Sequence, residues 1–532
     1  MSERKKYPIG LQSFSEIING EYLYVDKTEF IYRMIDTGKY YFLSRPRRFG
    51  KSLLLSTIEA YFLGQRELFR GLAIDRHEDL KWESHPVLHL DLNAQDYTKD
   101  EQSLYNQIDT YLRIWEDRYG VVPEVKDLGI RFSLVIEAAY RETGRQVVVL
   151  IDEYDKPMLQ NLGEDRQDRQ NRFRETLKGF YGALKSCDRY IRFALLTGVT
   201  KFGKISVFSD LNNLRDITLE PDYNAICGIT ESELLTDMRE GIELLAERQR
   251  MGFAATCARL KSNYDGYRFS EEDAEGIYNP FSLLNVMESR RFADYWFMTA
   301  TPTMLIELLR HRDIELSSLE GAIRTESELM GLDPVFRDPI PLLFQCGYLT
   351  IKGTDYDIET TYRLGFPNEE VERGFLKALI PYYIDTVRGD TGFRVTSFIE
   401  ALREGNVNKF MELLKSLLAE VPYRAKKGEK IYEERFRDVL FILCRLMGLR
   451  VQSELHTSVG RIDMTIETAH YIYLMEFKVD QSPEKALDQI EDRGYANRYL
   501  SDQRTLVKVG VSFSTSERNI SAWIADPDLS NS

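Results

Sequence analysis

The alternation of apolar and polar positions divides the chain into regions of different character. Between residues 39 and 220, short apolar runs (YYFLS, VLHLDL, VVVLID, IRFALLT, ITLE) are separated by longer helical stretches. Strands and helices in that order predict a mostly parallel sheet covered by helices. From about 230 to 330 the pattern is helical, with amphipathic runs such as ESELLTDMREGIELLAERQR and no strand signal. Residues 339–380 change again: PIPLLFQCGYLTIKG and then DYDIETTYRLGFPNEEVERGFLKALI predict a helix stopped at Gly347, two short strands around a polar turn, and another helix. From about 395 a helical connector leads into a compact α/β unit that begins near Tyr432 and runs close to the C-terminus.

These changes of pattern place four regions, 1–228, 229–335, 336–394 and 395–532, the third of which has the element order of a winged helix without a basic recognition face. A chain of 532 residues is too long for one hydrophobic core, so an α/β multidomain protein is expected. No run approaches the roughly 18 apolar residues that span a bilayer. The opening MSERKKYPIG has no apolar signal segment. A cytoplasmic location without a membrane partner is therefore expected. The five cysteines are scattered with no CxxC pair, which argues against a zinc or disulfide framework. The formal net charge of −15 argues against a protein that coats nucleic acid along a broad basic surface, because such binding needs counterion release. Any contact must be local, and residues 421–451, with eight Lys or Arg against four acids, offer one place for it or a merely solvated helix face.

The first candidate chemistry lies in YYFLSRPRRFGKSLLLSTIEAYF, a strand, a loop and an apolar-periodic helix in sequence. Backbone N–H groups at a helix N-terminus cradle phosphates, Lys51 can reach the β- and γ-phosphates of ATP, and the Ser52 hydroxyl can ligate Mg²⁺. The phosphate-binding segment is Arg45, Pro46, Arg47, Arg48, Phe49, Gly50, Lys51 and Ser52, with Arg45 where the general P-loop pattern has glycine. About a hundred residues on, VVVLIDE ends in Asp152 and Glu153, the first suited to hold the Mg²⁺ shell and the second to polarise an attacking water. The next strand ends at Thr197, whose hydroxyl could sense the γ-phosphate or simply close the strand. Arginines 45, 47 and 48 crowd the loop, but no arginine finger can be placed. A neighbour's arginine could complete the site, which would make the protein a homo-oligomer.

The second lies in GRIDMTIET and YIYLMEFKV, two strands joined near Ala469 and His470. With the turn centred there, Asp463 lies opposite Glu476, and Lys478 shares their face, while Tyr473, Met475, Phe477 and Val479 point the other way into the core. Two carboxylates and a lysine on one face of a hairpin can bind Mg²⁺, or Mn²⁺, through hard oxygen ligands and position a water for attack on a phosphodiester. Asp463 and Glu476 would hold the metal and Lys478 would orient the nucleophile. In the preceding YEERFRDVLFILCRLMG, Glu433 lies at the edge of the apolar stripe and Glu434 almost opposite it.

Together RPRRFGKS, LIDEYD, TGVTKFGK and DLNNLRDIT resemble the bacterial AAA-ATPase-like family that is typically joined to a C-terminal PD-(D/E)XK nuclease domain, and the resemblance spans essentially the whole chain. It implies a P-loop AAA-like parallel sheet with helices, a helical and winged-helix-like middle, and a C-terminal PD-(D/E)XK domain. That family usually has arginine at the position of Arg45. The nuclease pattern matches Ile462-Asp463 and Glu476-Phe477-Lys478, with Ile462 where proline is usual. It implies Glu433 as an additional acid at the metal, and Gln489 and Tyr495 in ALDQIEDRGYANRY as the Gln/Tyr helix of some members. The segment GLQSFSEIINGEYLYVDKT resembles the family's N-terminus, with no role for Tyr24–Thr28 that the residues reveal. The expected activity is ATP hydrolysis that regulates or aims Mg²⁺-dependent DNA cleavage. Two alternatives stand beside it: a switch ATPase whose nuclease-like domain only binds partners, and an ATPase that binds nucleic acid without cutting it.

Overall fold

The computed structural model describes the chain except residues 1–4, 164–165, 202–212, 273, 300–318, 332–337, 357–358, 384–394, 420–440, 443–444, 446–449, 458–459, 500, 518 and 528–532. Glu433 and most of the basic stretch at 421–451 lie outside the described residues. The chain divides into two compact units, Met1–Leu308 with Gly321–Glu372, and Leu309–Glu320 with Arg373–Ser532.

The first unit is built on a parallel sheet of β1 (Tyr40–Ser44), β2 (Val87–Asp91), β3 (Val147–Asp152), β4 (Ile191–Gly198) and β5 (Arg215–Asp216), in the order β2-β3-β4-β1-β5. Every residue of β1 and β3 is buried, because helices cover both faces, and this is why both read as unbroken apolar runs. The fifth strand departs from the expected ITLE. It is only Arg215–Asp216: the Ile217 amide still donates to Phe42 O at 3.0 Å, and the chain then turns where Asp216 Oδ1 accepts the Thr218 amide at 3.0 Å. On one flank the Leu128–Thr143 helix starts where Asp127 accepts the Ile130 amide, a cap worth about 1 kcal/mol, and stops at Gly144 with φ +66°. It packs on Gln167–Ser186 through Phe132 and Phe180, whose rings stack at 4.4 Å.

A second core joins the helices Glu231–Asp237, Arg239–Gln249, Phe253–Tyr264 and Pro280–Ser289 around Ile242, Leu245, Leu260, Leu283 and Val286. The Tyr24–Thr28 segment acquires a structural role here. Lys27 Nζ donates to both oxygens of Glu233, at 2.6 and 2.7 Å, and Asp26 accepts from Thr28 and from the Ala73 amide. Glu233 also closes the capping box with Thr230, so one carboxylate fixes the helix start and the N-terminal segment together.

The stretch read as helix, glycine stop, hairpin and helix has those elements: Ile340–Gln345, Gly347 at φ +86°, β7 (Thr350–Asp355), β8 (Thr361–Gly365) and Glu369–Tyr383. A short strand missed in the sequence, β6 (Ile323–Thr325), adds to β8 and makes a three-stranded sheet. Three residues are too few to show an alternation.

In the second unit β9 (Arg450–Thr457), β10 (Gly460–Glu467), β11 (Tyr471–Val479), β12 (Thr505–Ser514) and β13 (Asn519–Asp526) form a mixed sheet in the order β13-β12-β11-β10-β9, with β11 and β12 parallel. The Pro483–Asp492 helix makes the crossover between that parallel pair. The expectation that the Tyr473 face of β11 points into the core is incomplete: Ile472 and Leu474, on the Glu476 face, are fully buried against Ile490 and Tyr495. On the opposite face Tyr473 Oη donates to Leu402 O at 2.6 Å. A central strand beside a parallel neighbour is covered on both faces. Among the described residues, no helix is long and apolar enough to cross a membrane.

Candidate functional site

The carboxyl ends of β1, β3 and β4 converge on one edge of the parallel sheet, where open α/β sheets bind ligands. β1 runs into the loop 45–50 and then into the helix Lys51–Phe62. Gly50 holds φ +93°, a conformation that a side chain would strain, and a Cβ there would meet nothing within 4 Å. The space above the helix N-terminus is thus open, and among the described residues no side chain caps that end. Its unpaired N–H groups fit a phosphate.

Lys51 is buried, with Nζ donating to the carbonyls of Arg45 (2.9 Å) and Pro46 (3.2 Å). Ser52 Oγ donates to Asp152 Oδ2 at 2.5 Å, and Thr197 Oγ1 donates to Asp152 Oδ1 at 2.7 Å. The strand bearing Thr197 therefore lies between the phosphate loop's strand and that of Asp152, and one carboxylate gathers both hydroxyls. Glu153 follows at φ +52°, unusual for a residue with a side chain, and its amide donates to Asp152 Oδ1 at 3.0 Å. Burial pushes the Glu153 carboxyl above its ordinary range, with Lys51 opposing. Arg48 also has positive φ, +65°, so two strained non-glycine residues flank this edge, as is common where geometry serves a ligand.

Of the arginines at the loop, Arg45 contributes its carbonyl, while its side chain turns away. The guanidinium is 1% exposed and donates to the carbonyls of Ser44 (2.9 Å), Thr218 (2.8 Å) and Tyr223 (2.9 Å), lying 4.2 Å from the Phe269 ring centre. It braces the loop from beneath. Arg48 lies 4.1 Å over Phe281, and the buried Phe49 packs edge-on against Tyr267 and Phe269. Sequence reasoning also missed Asp155, the last acid of LIDEYD. Fully buried, it accepts the amides of Val199 (3.0 Å) and Thr200 (2.5 Å), fixing the turn that follows Thr197. The third acid in that short motif was the available signal.

In the second unit the hairpin register pairs Met464 with Met475 and Ile466 with Tyr473, which sets Asp463 against Glu476 one step further along. Asp463 Oδ2 accepts the Phe477 amide at 2.9 Å. Lys478 Nζ lies 3.3 Å from Glu476 Oε1 and 2.5 Å from Gln489 Oε1, and Gln489 Nε2 donates back to Glu476 Oε1. The structure thus brings together Asp463, Glu476, Lys478 and Gln489. Tyr495 packs into the core, 2% exposed beside Ile472, Leu474 and Ile490. Lys478, Gln489 and Tyr495 also line an open pocket shared with Gln481, Lys485, Asp488, Asp492 and Arg493.

Glu476 is the most informative group. Its side chain is 2% exposed, and Oε2 has no hydrogen-bond partner among the described residues. Burial, reinforced by Asp463, pushes its carboxyl up to about 7. A buried carboxylate oxygen left unsatisfied beside a second carboxylate fits a hard divalent cation.

The raised carboxyl has a consequence for stability. Ionising Glu476 opposes folding, a penalty absent below the unfolded value near 4.5 and complete once pH exceeds about 7. Glu476→Gln is expected to raise the melting point of the second unit at pH 8 in EDTA, by the equivalent of about 3 kcal/mol at most, and to have no effect at pH 4. Melts at the two pH values check this, and an equal effect at both would refute it.

Comparison with known proteins matches a family model to each of two stretches of the chain. The family described as Predicted AAA-ATPase matches residues 8–208, and the PD-(D/E)XK nuclease superfamily matches residues 431–523. A protein of Azotobacter chroococcum mcd 1, described as an uncharacterized protein in the vnfD 5' region, is 36% identical over 533 residues, covering 98% of this chain and 99% of its own.

Proposed function

Because the chain belongs to the family of predicted AAA-ATPases that carry a PD-(D/E)XK nuclease domain, we propose that it binds and hydrolyses ATP in its first unit and that this regulates or aims Mg²⁺-dependent DNA cleavage by its second. The observation that carries the nucleotide half is the convergence of Lys51, Ser52, Asp152 and Thr197 on one sheet edge below an open helix N-terminus. Lys51 exchanges its loop carbonyls for the β- and γ-phosphates when ATP enters. Ser52 and Asp152 would hold Mg²⁺, which would neutralise charge on the phosphates. Glu153 polarises the attacking water, and Thr197 senses the γ-phosphate.

The cleavage half rests on the unsatisfied Glu476 oxygen opposite Asp463. These two carboxylates would hold Mg²⁺ or Mn²⁺, with Glu433 as the additional acid, and the metal would supply charge stabilisation at the scissile phosphate. Lys478, held by Glu476 and Gln489, orients the water. Tyr495 supports the helix that carries Gln489.

Glu153→Gln separates binding from turnover. It is expected to bind ATP with wild-type affinity and to hydrolyse it on the order of 100-fold more slowly, the lower range for loss of a positioned general base. Equilibrium binding of labelled ATP and phosphate release on the same preparation measure the two. Wild-type turnover in Glu153→Gln would remove that residue from the reaction.

A further inference from the structure

The four residues between Arg45 and Gly50 are each gripped by the later part of the first unit. Pro46 packs so closely on Gly347 that a Cβ on that glycine would fall 2.6 Å from the proline. Trp296 Nε1 donates to Arg47 O at 3.0 Å, Phe281 underlies Arg48, and Tyr267 and Phe269 enclose Phe49. A phosphate loop held along its whole length cannot shift without disturbing these residues.

Two of the grips converge on one buried carboxylate. The Trp296 amide donates to Glu370 Oε1 at 2.7 Å, and the hydroxyl of Ser282, next to Phe281, donates to Glu370 Oε2 at 2.7 Å. Glu370 is 1% exposed and stands in the first turn of the Glu369–Tyr383 helix, where a negative charge is favoured. From Arg373 onward the same helix belongs to the second unit. Trp296, also 1% exposed, thus joins the loop at one end of its side chain and the Glu370 helix through its own backbone.

We propose that Glu370 is a positioning residue for the phosphate loop, acting through Trp296 and Ser282, and that this contact passes the state of the loop to the helix that continues into the second unit. The inference rests on the reading of the loop as an ATP site. Charge-assisted hydrogen bonds in a buried setting are strong and directional, so weakening them displaces what they hold. A displaced loop raises the KM for ATP, whereas mere loss of folded protein lowers kcat at unchanged KM.

The test uses the full chain with MgATP as probe and compares wild type, Glu370→Gln, Trp296→Phe, Ser282→Ala and Lys51→Ala. Trp296 is one of four tryptophans, with Trp82, Trp115 and Trp523, so an emission change on MgATP that vanishes in Trp296→Phe belongs to this side chain. Glu370→Gln is expected to raise the KM for ATP about tenfold with a smaller change in kcat, in line with the strength of hydrogen bonds to charged groups. It should also flatten the response of DNA cleavage to ATP. Should Glu370→Gln fail to fold, the milder Ser282→Ala is expected to raise KM severalfold. Wild-type KM and wild-type ATP response in the folded variants, with Lys51-dependent ATP binding intact, would overturn the inference and leave the ATP site standing. Absence of Lys51-dependent ATP binding in the wild-type chain would overturn both.

Discussion

Glu476→Ala is expected to lose metal-dependent DNA cleavage by at least about 100-fold while hydrolysing ATP as the wild type does, because a metal's stabilisation of the reacting phosphate is worth several kcal/mol. The separation follows from the placement of Glu476 on β11 in the second unit, within a sheet that shares no strand with that of Lys51 and Asp152. Removing its side chain deletes one carboxylate opposite Asp463 and releases both Lys478 and Gln489, which bond to the same Oε1. Loss of the metal is separable from loss of the lysine. Lys478→Ala leaves both carboxylates and should still bind Mn²⁺, read by calorimetry, whereas Glu476→Ala should not. Cleavage at the wild-type rate by Glu476→Ala would remove the hairpin from the chemistry.

Lys51→Ala is expected to abolish measurable ATP turnover, with a fall on the order of 10²–10³ or more, typical of losing a preorganised cation or donor at a developing charge. Lys51 starts the helix Lys51–Phe62 and donates to two carbonyls of its own loop. Alanine favours a helix, so the helix should persist. Far-ultraviolet circular dichroism should therefore be unchanged while phosphate release disappears. DNA cleavage by Lys51→Ala should persist at a level that ATP no longer alters.

The parts of this architecture that could be read from the sequence share a physical cause. β1, β3 and β4 are buried along their lengths, so covering helices demand apolar residues at nearly every position, and the runs are conspicuous. The opposition of Asp463 and Glu476 was legible because a short turn fixes the register of an antiparallel pair. β5 was misplaced because its residues Arg215 and Asp216 are polar, while the apolar Ile217 and Leu219 follow the strand. The burial of Ile472 and Leu474 was missed because a hairpin alone does not reveal the helix that crosses its second face.

Long-range polar contacts were the least legible. Nothing local to Arg45 indicates that its guanidinium serves the carbonyls of Thr218 and Tyr223, more than 170 residues away. Nor do Trp296 and Glu370 announce a connection to Arg47. Their residue types carry no periodic signal, and their meaning appears only once the chain is folded.

Coupling of ATP to a nuclease is decided by cleavage of single- and double-stranded DNA in Mg²⁺ or Mn²⁺, with and without ATP, by wild type, Glu476→Ala and Lys51→Ala. Cleavage is expected to be lost in Glu476→Ala and to respond to ATP only when Lys51 is present. A wild-type protein that turns over ATP yet cuts no DNA under any of these conditions would contradict it, and would favour a switch ATPase whose nuclease fold serves to bind.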